Sequence, residues 1–327
     1  MSDIRSSLEE RQISIYFAAV AVAVGAALLV PGMTALEGAI NPALALMLYV
    51  TFLQVPLAEI GRSFASGRFL TALVLANFVA VPLLVAAMLP LMPTDALLRF
   101  GILLVLLAPC IDYVVTFAHL GRADARLLLA ATPILLIAQM LLLPVYLKVL
   151  LGEDAAALVR PEPFVHAFVW LIGVPLVLAG VTQLCASRST VGRQAASALG
   201  LLAVPATALV LFVVVAAVLP QLGSATSSAL AALPFYVAFA CLAPIVGWLL
   251  GAALGLQPPA SRAVAFSAGT RNSLVVLPLA LAAPAALPVL PAIIVTQTLV
   301  ELLAELVYVR WIPRFGAHRA RAGSGGS

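Results

Sequence analysis

Long apolar runs recur along the whole 327-residue chain, separated by short segments that hold nearly all of its charge. About 20 consecutive apolar residues cross the ~30 Å hydrocarbon core of a bilayer as a helix. Ten such runs are expected to span, at approximately 14–31, 38–57, 69–91, 97–118, 126–150, 164–185, 197–220, 228–254, 262–282 and 287–309. Two are interrupted. In the ninth, Gly269-Thr-Arg-Asn-Ser273 is a poor helix interior and places Arg271 in the middle of the span. In the fourth, Pro109 breaks the run Leu107-Ala-Pro-Cys-Ile-Asp112. Irregular backbone at membrane depth is tolerated only where it is buried in protein or lines a cavity.

Composition agrees with the pattern. The chain is 64% hydrophobic and 9% charged, with a mean hydropathy of +1.17, where soluble domains carry about 25% charged residues. This predicts an all-α integral membrane protein: a cytoplasmic N-terminal tail over 1–13, one transmembrane domain over 14–312 and a flexible tail over 313–327. The net charge of +4 is absorbed by topology, so nucleic acid is not an expected partner. With a cytoplasmic N-terminus, only Arg99, Lys148 and Arg160 fall outside and only Arg271 falls within the membrane; every other Lys and Arg faces the cytoplasm. Both termini are therefore expected to be cytoplasmic, in a multi-pass protein of the inner (plasma) membrane. The first run follows Glu9-Glu10-Arg11 without a small-residue cleavage site and reads as a retained span.

Phosphate-binding loops, nucleotide folds and hydrolytic triads are absent from the sequence. Neither an enzyme nor a resident cofactor is expected. Cys110, Cys185 and Cys241 do not suggest a disulfide framework, and no His or Cys spacing indicates a fixed metal site. Cys185 and Cys241 read as packing residues.

The two halves of the chain resemble each other. Pro133-Ile-Leu-Leu-Ile-Ala-Gln139 matches Pro291-Ala-Ile-Ile-Val-Thr-Gln297 at an offset of 158, and both run on to a tyrosine, Tyr146 and Tyr308. Asn77-Phe-Val-Ala-Val-Pro82 resembles Phe239-Ala-Cys-Leu-Ala-Pro244 at 162, and Pro42 corresponds to Pro205 at 163. Five spans is an odd number, so the copies (about 14–150 and 164–309) are expected in opposite orientation. Inverted repeats are an architecture of secondary transporters, whose sites lie where broken helices of the two halves meet. At the 158 offset, Gly269-Thr-Arg271 falls on Ile111-Asp-Tyr113, which makes Asp112 the expected partner of Arg271.

A guanidinium at a bilayer centre costs roughly 2.5–3.5 kcal/mol even on a lenient scale, and such charges mark solute or ion pathways. Two readings of Asp112 and Arg271 stand side by side. They form a permanent pair locking the crossing, or Asp112 exchanges the arginine for a proton during transport. Cys110, beside the break, can offer a thiol to a soft ligand or simply pack. Thr270, Asn272 and Ser273 supply short polar groups at the break. Glu301, nine residues before Arg310 and so about 13 Å deeper, is a second ionisable candidate; Glu305 is placed within reach of the headgroups. Gln54, Asn77, Gln139 and Gln297 serve as ligands or as interhelical glue. His119, Arg122, Asp124 and Arg126 read as topology.

These motifs resemble the bile acid:sodium symporter superfamily, which includes the arsenite-exporting permeases. Gly269-Thr-Arg-Asn-Ser273 is similar to the Gly-x-Gln-Asn-Ser of the sodium-coupled branch. Ala108-Pro-Cys-Ile-Asp112 is similar to the cysteine-containing fourth-span motif of the arsenite branch, Thr298-Leu-Val-Glu-Leu302 to its tenth-span element, and Phe52-Leu-Gln-Val-Pro-Leu57 to its second-span element. The resemblance implies ten spans in two inverted five-span repeats, with the fourth and ninth helices broken and crossing. It also shows departures. Relatives bind sodium with a glutamate and the Gln of the ninth span; those positions here are Ser267 or Ala268, and Arg271. The ninth-span glutamate of the arsenite branch falls at Ser273 or Leu274. The implied function is efflux of trivalent arsenic by proton antiport, with Cys110 touching the metalloid, Asp112 or Glu301 carrying the proton, and no sodium coupling. The alternatives are a small-organic-anion transporter, in which Arg271 pairs the anion, and a non-transporting membrane sensor.

Overall fold

The computed structural model describes residues 2–54, 66–111, 113–152, 166, 169–281 and 289–316. Every regular element among them is helical, and the only β feature is an isolated bridge. Seven helices are long and apolar enough to cross a membrane. They cover the first, second, third, fifth, seventh, eighth and tenth expected spans. The other three expected stretches hold shorter helices: the sixth holds Val174–Arg188, and the fourth and ninth each hold a pair separated by a break. The first helix, α1 (Ser2–Leu29), starts well before the expected span and takes in the charged Glu9-Glu10-Arg11.

The chain divides into two compact units. The first comprises Met1–Leu57, Ala157–Leu230 and Leu274–Val295. In it α1 packs on the helix Ala203–Val218, which packs on α2 (Glu37–Gln54), and α2 also meets Val174–Arg188. The last-turn carbonyls of α2 have no partner within the helix. Gln183 Nε2 donates to Phe52 O at 3.0 Å, and Gln54 Nε2 donates to Gly200 O at 3.3 Å. Gln54 thus binds helices together, as one of its two expected roles requires.

The second unit comprises Ala58–Ala156, Ala231–Ser273 and Thr296–Ser327. Its described helices are α3 (Gly67–Leu75), α4 (Val81–Met88), α5 (Ala96–Leu106), α6 (Val114–Leu120), α7 (Ala125–Leu151), most of α8 (Leu222–Ala253), α9 (Pro258–Gly269) and most of α10 (Val289–Trp311). Two prolines shape it. Pro82 has no N–H to give to the carbonyl of Phe78, four residues back. A π-type turn over Ala76–Ala80 precedes it, and Tyr146 Oη donates to the freed Phe78 O at 2.5 Å. Pro244 frees Ala240 O in the same way, and Tyr308 Oη donates to it at 2.5 Å. Both tyrosines answer a carbonyl that a proline orphaned. Tyr146→Phe and Tyr308→Phe should each lower stability by about 1 kcal/mol, within the range of buried hydrogen bonds in membrane helices. Thermal midpoints in nanodiscs measure this; an unchanged midpoint in both variants contradicts it.

Helices α8 and α9 approach backbone to backbone. A Cβ on Gly247 would lie 2.8 Å from Val264 O and 2.7 Å from Ala268 Cβ, and one on Gly251 would lie 3.0 Å from Ser261 Cα. Gly247 and Gly251, four apart on one face, form the small-xxx-small contact that lets membrane helices touch closely. Beyond α10, Ile312–Arg314 forms a short 3-10 turn, and the Phe315 ring lies 5.5 Å from Trp248.

Candidate functional site

The two breaks fall where Pro109 and Gly269-Thr-Arg-Asn-Ser273 predict them. Helix α5 ends at Leu106 and α6 begins at Val114; α9 ends at Gly269 and the next helix begins at Ser273. Thr270 is extended, with φ −102° and ψ 130°. The two extended segments meet as an antiparallel bridge, Pro109 opposite Arg271. Cys110 N donates to Thr270 O at 3.1 Å, and Asn272 N donates to Ala108 O at 2.8 Å. Each broken helix thus satisfies backbone groups that the other exposes, as an interior without water demands. Gly269 lets the end of α9 pack closely against α8 and α10: a Cβ there would lie 2.7 Å from Pro244 Cγ and 3.0 Å from Tyr308 Cε2.

Arg271 is wholly buried. Its Nη2 donates to Asn77 Oδ1 at 2.9 Å, to Ser267 O at 2.6 Å and to Ala268 O at 2.7 Å, and its Nη1 donates to Leu106 O at 3.4 Å. The guanidinium carbon lies 5.3 Å from the centroid of the Phe239 ring. All four acceptors are neutral oxygens, and two are carbonyls of the last turn of α9, where the helix dipole is negative. The guanidinium is therefore caged as a cation without a direct carboxylate bond among the described residues. Asp112, its expected partner, lies outside the described residues. Asn77, on the π-type turn, also donates to Ser267 Oγ at 2.9 Å; π-type turns of this kind often mark functional positions.

Helix α10 places two buried carboxyls against the crossing. Glu301 accepts from the main-chain N of Arg271 at 2.6 Å, from Gln297 Nε2 at 2.6 Å and from Tyr113 Oη. Thr270 Oγ1 contacts Glu305 Oε1 and lies 2.7 Å from Phe266 O. Glu305 is wholly buried, which corrects its expected place at the headgroups. Counting residues from Arg310 sets depth along a helix but not the face. Ser273 Oγ and Thr298 Oγ1 share a hydrogen bond of 2.9 Å.

Of the expected site residues, Cys110, Thr270, Arg271, Asn272, Glu301, Asn77 and Gln297 meet at or beside the crossing in this unit. Cys110 is buried there. Asn272 Nδ2, Gln297 Oε1, Arg271 Nε and both amide atoms of Gln139 are buried without a hydrogen-bond partner. Among the described residues, Gln139 has no partner helix group to bind. Cys185 and Cys241 are exposed, against their reading as packing residues; in lipid an outward apolar position carries no penalty. Tyr113, Ser267, Phe239 and Glu305 were missed. Tyr113 adjoins Asp112 at the break, which was its one available signal.

Two pairs of contacts share one separation along the chain. Tyr146 with Phe78 and Tyr308 with Ala240 differ by 162 at both members (308 − 146 and 240 − 78). Adding 162 to Pro109 gives Arg271, and the two crossing hydrogen bonds then exchange, 110 with 272 and 108 with 270. At this register Arg271 corresponds to Pro109, Cys110 to Asn272 and Gln139 to Glu301. The 158 offset, which places Asp112 within the stretch matching Arg271, differs from this by about one helical turn.

The sequence profile of the Sodium Bile acid symporter family matches residues 41–224, more than half of the chain. The match includes Asn77, Cys110, Tyr113 and Gln139 and stops before Arg271 and α10. No curated protein matches the chain.

Proposed function

The chain belongs to the Sodium Bile acid symporter family, and from that membership we propose that it exports trivalent arsenic in exchange for protons. It is a multi-pass membrane transporter of a small solute. In our reading it is built as ten spans in two inverted five-span repeats, over about 14–150 and 164–309 of one domain, and lies in the inner membrane with both termini cytoplasmic. The recurrent offset of 162 through the proline–tyrosine pairs and the crossing supports the duplication.

The observation that carries the export reading is the buried thiol of Cys110 at the crossing, where Asn272 holds an amide nitrogen with no partner among the described residues. Soft thiolate ligands suit thiophilic centres, and neutral arsenous acid offers hydroxyls to that amide. Asp112 and Glu301 are the carboxyls that the sequence offers for the proton. Thr270, Ser273, Asn77 and Gln297 support the site. The caged guanidinium of Arg271 supports independence from sodium, because a permanent cation already holds the carbonyl oxygens of α9. The organic-anion reading needs Arg271 open to solute. Its one support is the unpartnered Nε, against a side chain that is otherwise caged and wholly buried.

Arsenite accumulation in cells lacking their own exporter tests this. Expression should lower accumulation, and Cys110→Ser should return it to the level of cells without the protein. In inside-out vesicles, an acidic interior should drive arsenite uptake as protons leave, and replacing sodium by choline should leave the rate unchanged. No effect of expression, or a requirement for sodium, overturns the reading.

A further inference from the structure

Two carboxyls on α10 face the crossing one turn apart, and their hydrogen bonds differ in kind. Glu301 receives three donors: the Tyr113 hydroxyl, the Arg271 main-chain N–H at 2.6 Å and the Gln297 amide at 2.6 Å. Two of the three are N–H groups, which can only donate, and both reach Oε2, so this carboxyl is dressed for its ionised form. Glu305 meets no N–H among the described residues. Its Oε1 faces the Thr270 hydroxyl, and its Oε2 is buried with no partner. Thr270 carries one hydroxyl hydrogen but has two such neighbours, Glu305 Oε1 and Phe266 O at 2.7 Å. A carbonyl can only accept. With the hydroxyl hydrogen on Phe266 O, the second contact is a hydrogen bond only when Glu305 is protonated and donates to Thr270 Oγ1.

Charge accounting agrees. Among the described residues, Glu301 and Tyr308 on its own helix act on Glu305, and Arg271 at the break acts on Glu301. Tyr308 gives its hydrogen to Ala240 O. The single guanidinium balances one carboxylate, and Glu301 is the one dressed with donors. A second ionised carboxylate with an orphaned oxygen in this interior is strongly disfavoured.

We propose that Glu305 carries the exchangeable proton of this transporter, held on the Thr270 hydroxyl, and that Glu301 is a fixed counter-charge to Arg271. The assignment rests on the proton-antiport reading and moves its coupling residue from Asp112 or Glu301, the carboxyls the sequence offers, to Glu305. When Glu305–OH releases its proton, the Thr270 hydroxyl turns to donate to the carboxylate and leaves Phe266 O. That carbonyl lies in the last turn of α9, so the proton state of Glu305 bears on the helix end that forms the crossing. The proton moves between Glu305 and water or solute; no covalent bond between heavy atoms changes.

Infrared difference spectroscopy of the protein in nanodiscs, titrated with acid, reads the carbonyl stretch of a protonated carboxyl without any solute present. That band should vanish in Glu305→Gln, persist in Glu301→Gln and shift in Thr270→Val. Persistence in Glu305→Gln, loss in Glu301→Gln or an unmoved band in Thr270→Val each overturns the assignment; the threonine variant decides it even where a carboxyl variant does not fold. In vesicles Glu305→Gln should lose the acceleration by a proton gradient and keep arsenite–arsenite exchange. If the wild-type protein moves no arsenite, the export reading fails, while the infrared band still decides which carboxyl holds the proton.

Discussion

Arg271→Met should destabilise the protein by roughly 3–5 kcal/mol, the cost typical of breaking a buried charge arrangement from one side. The substitution keeps most of the side chain's volume, so the loss is electrostatic and hydrogen-bonding in origin. It leaves Asn77 Oδ1 and the carbonyls of Ser267 and Ala268 without the donor that now reaches them at 2.6–2.9 Å. It also removes the cation that acts on Glu301. Glu301→Gln alone should cost a similar amount, because it leaves a wholly buried guanidinium uncompensated. The double variant Arg271→Met with Glu301→Gln removes both charges and should recover about 0.5–3 kcal/mol relative to the sum of the single losses, the range seen for coupled neighbours. Thermal or denaturant midpoints of the four proteins in one lipid composition close the cycle. Strictly additive losses would show that the two charges act independently.

Gly247→Val should be the most damaging single change remote from any charge. The new Cβ would sit 2.8 Å from the carbonyl oxygen of Val264 and 2.7 Å from Ala268 Cβ. The first is main chain of α9, which cannot turn aside as a flexible side chain does. Overpacking costs about 1–3 kcal/mol where side chains can adjust, and a backbone contact puts this site at or above the upper end. Its consequence reaches the crossing. Helix α9 carries Ser267 and Ala268, whose carbonyls hold Arg271, and leads directly into Thr270. Moving α9 outward therefore displaces the cage as well as the helix contact. Solute transport should fall to the vector level even in protein that reaches the membrane, while Gly223→Ala, with open space around its Cβ position, should behave as wild type. Transport by Gly247→Val at the wild-type rate would contradict the close approach.

Much of this was readable in order along the chain. The helix breaks follow from local chemistry: Pro109 removes a donor, and Gly269-Thr-Arg-Asn-Ser273 has few residues that favour a helix. Arg271 stood out because lipid does not tolerate a lone guanidinium. The likeness of the two halves is legible, but the fifth span gives an offset of 158 where the proline–tyrosine pairs give 162. Leu- and Ala-rich segments match one another nearly as well one turn out, so the alignment of Pro133 with Pro291 had little power. Tyr146 and Tyr308 hold the register because each must reach a carbonyl freed by a particular proline. Glu305 shows a similar limit. Its depth follows from its distance to Arg310, but whether it meets a headgroup or Thr270 depends on which face of α10 the neighbouring helices cover.

The sequence by itself determined the solvent, the class and the breaks. A chain of long apolar runs whose charge is nearly all confined to the short segments between them has to cross a membrane, and its interrupted runs have to bury their irregular backbone. Only the tertiary structure decided what satisfies those breaks. Backbone groups freed in one span are answered by the backbone of another: Cys110 N by Thr270 O, and Asn272 N by Ala108 O. Such pairings carry no side-chain signature, because every residue type offers the same carbonyl. For the same reason Arg271, the most conspicuous residue in the sequence, is held by carbonyls and one amide whose identity no pattern along the chain could disclose.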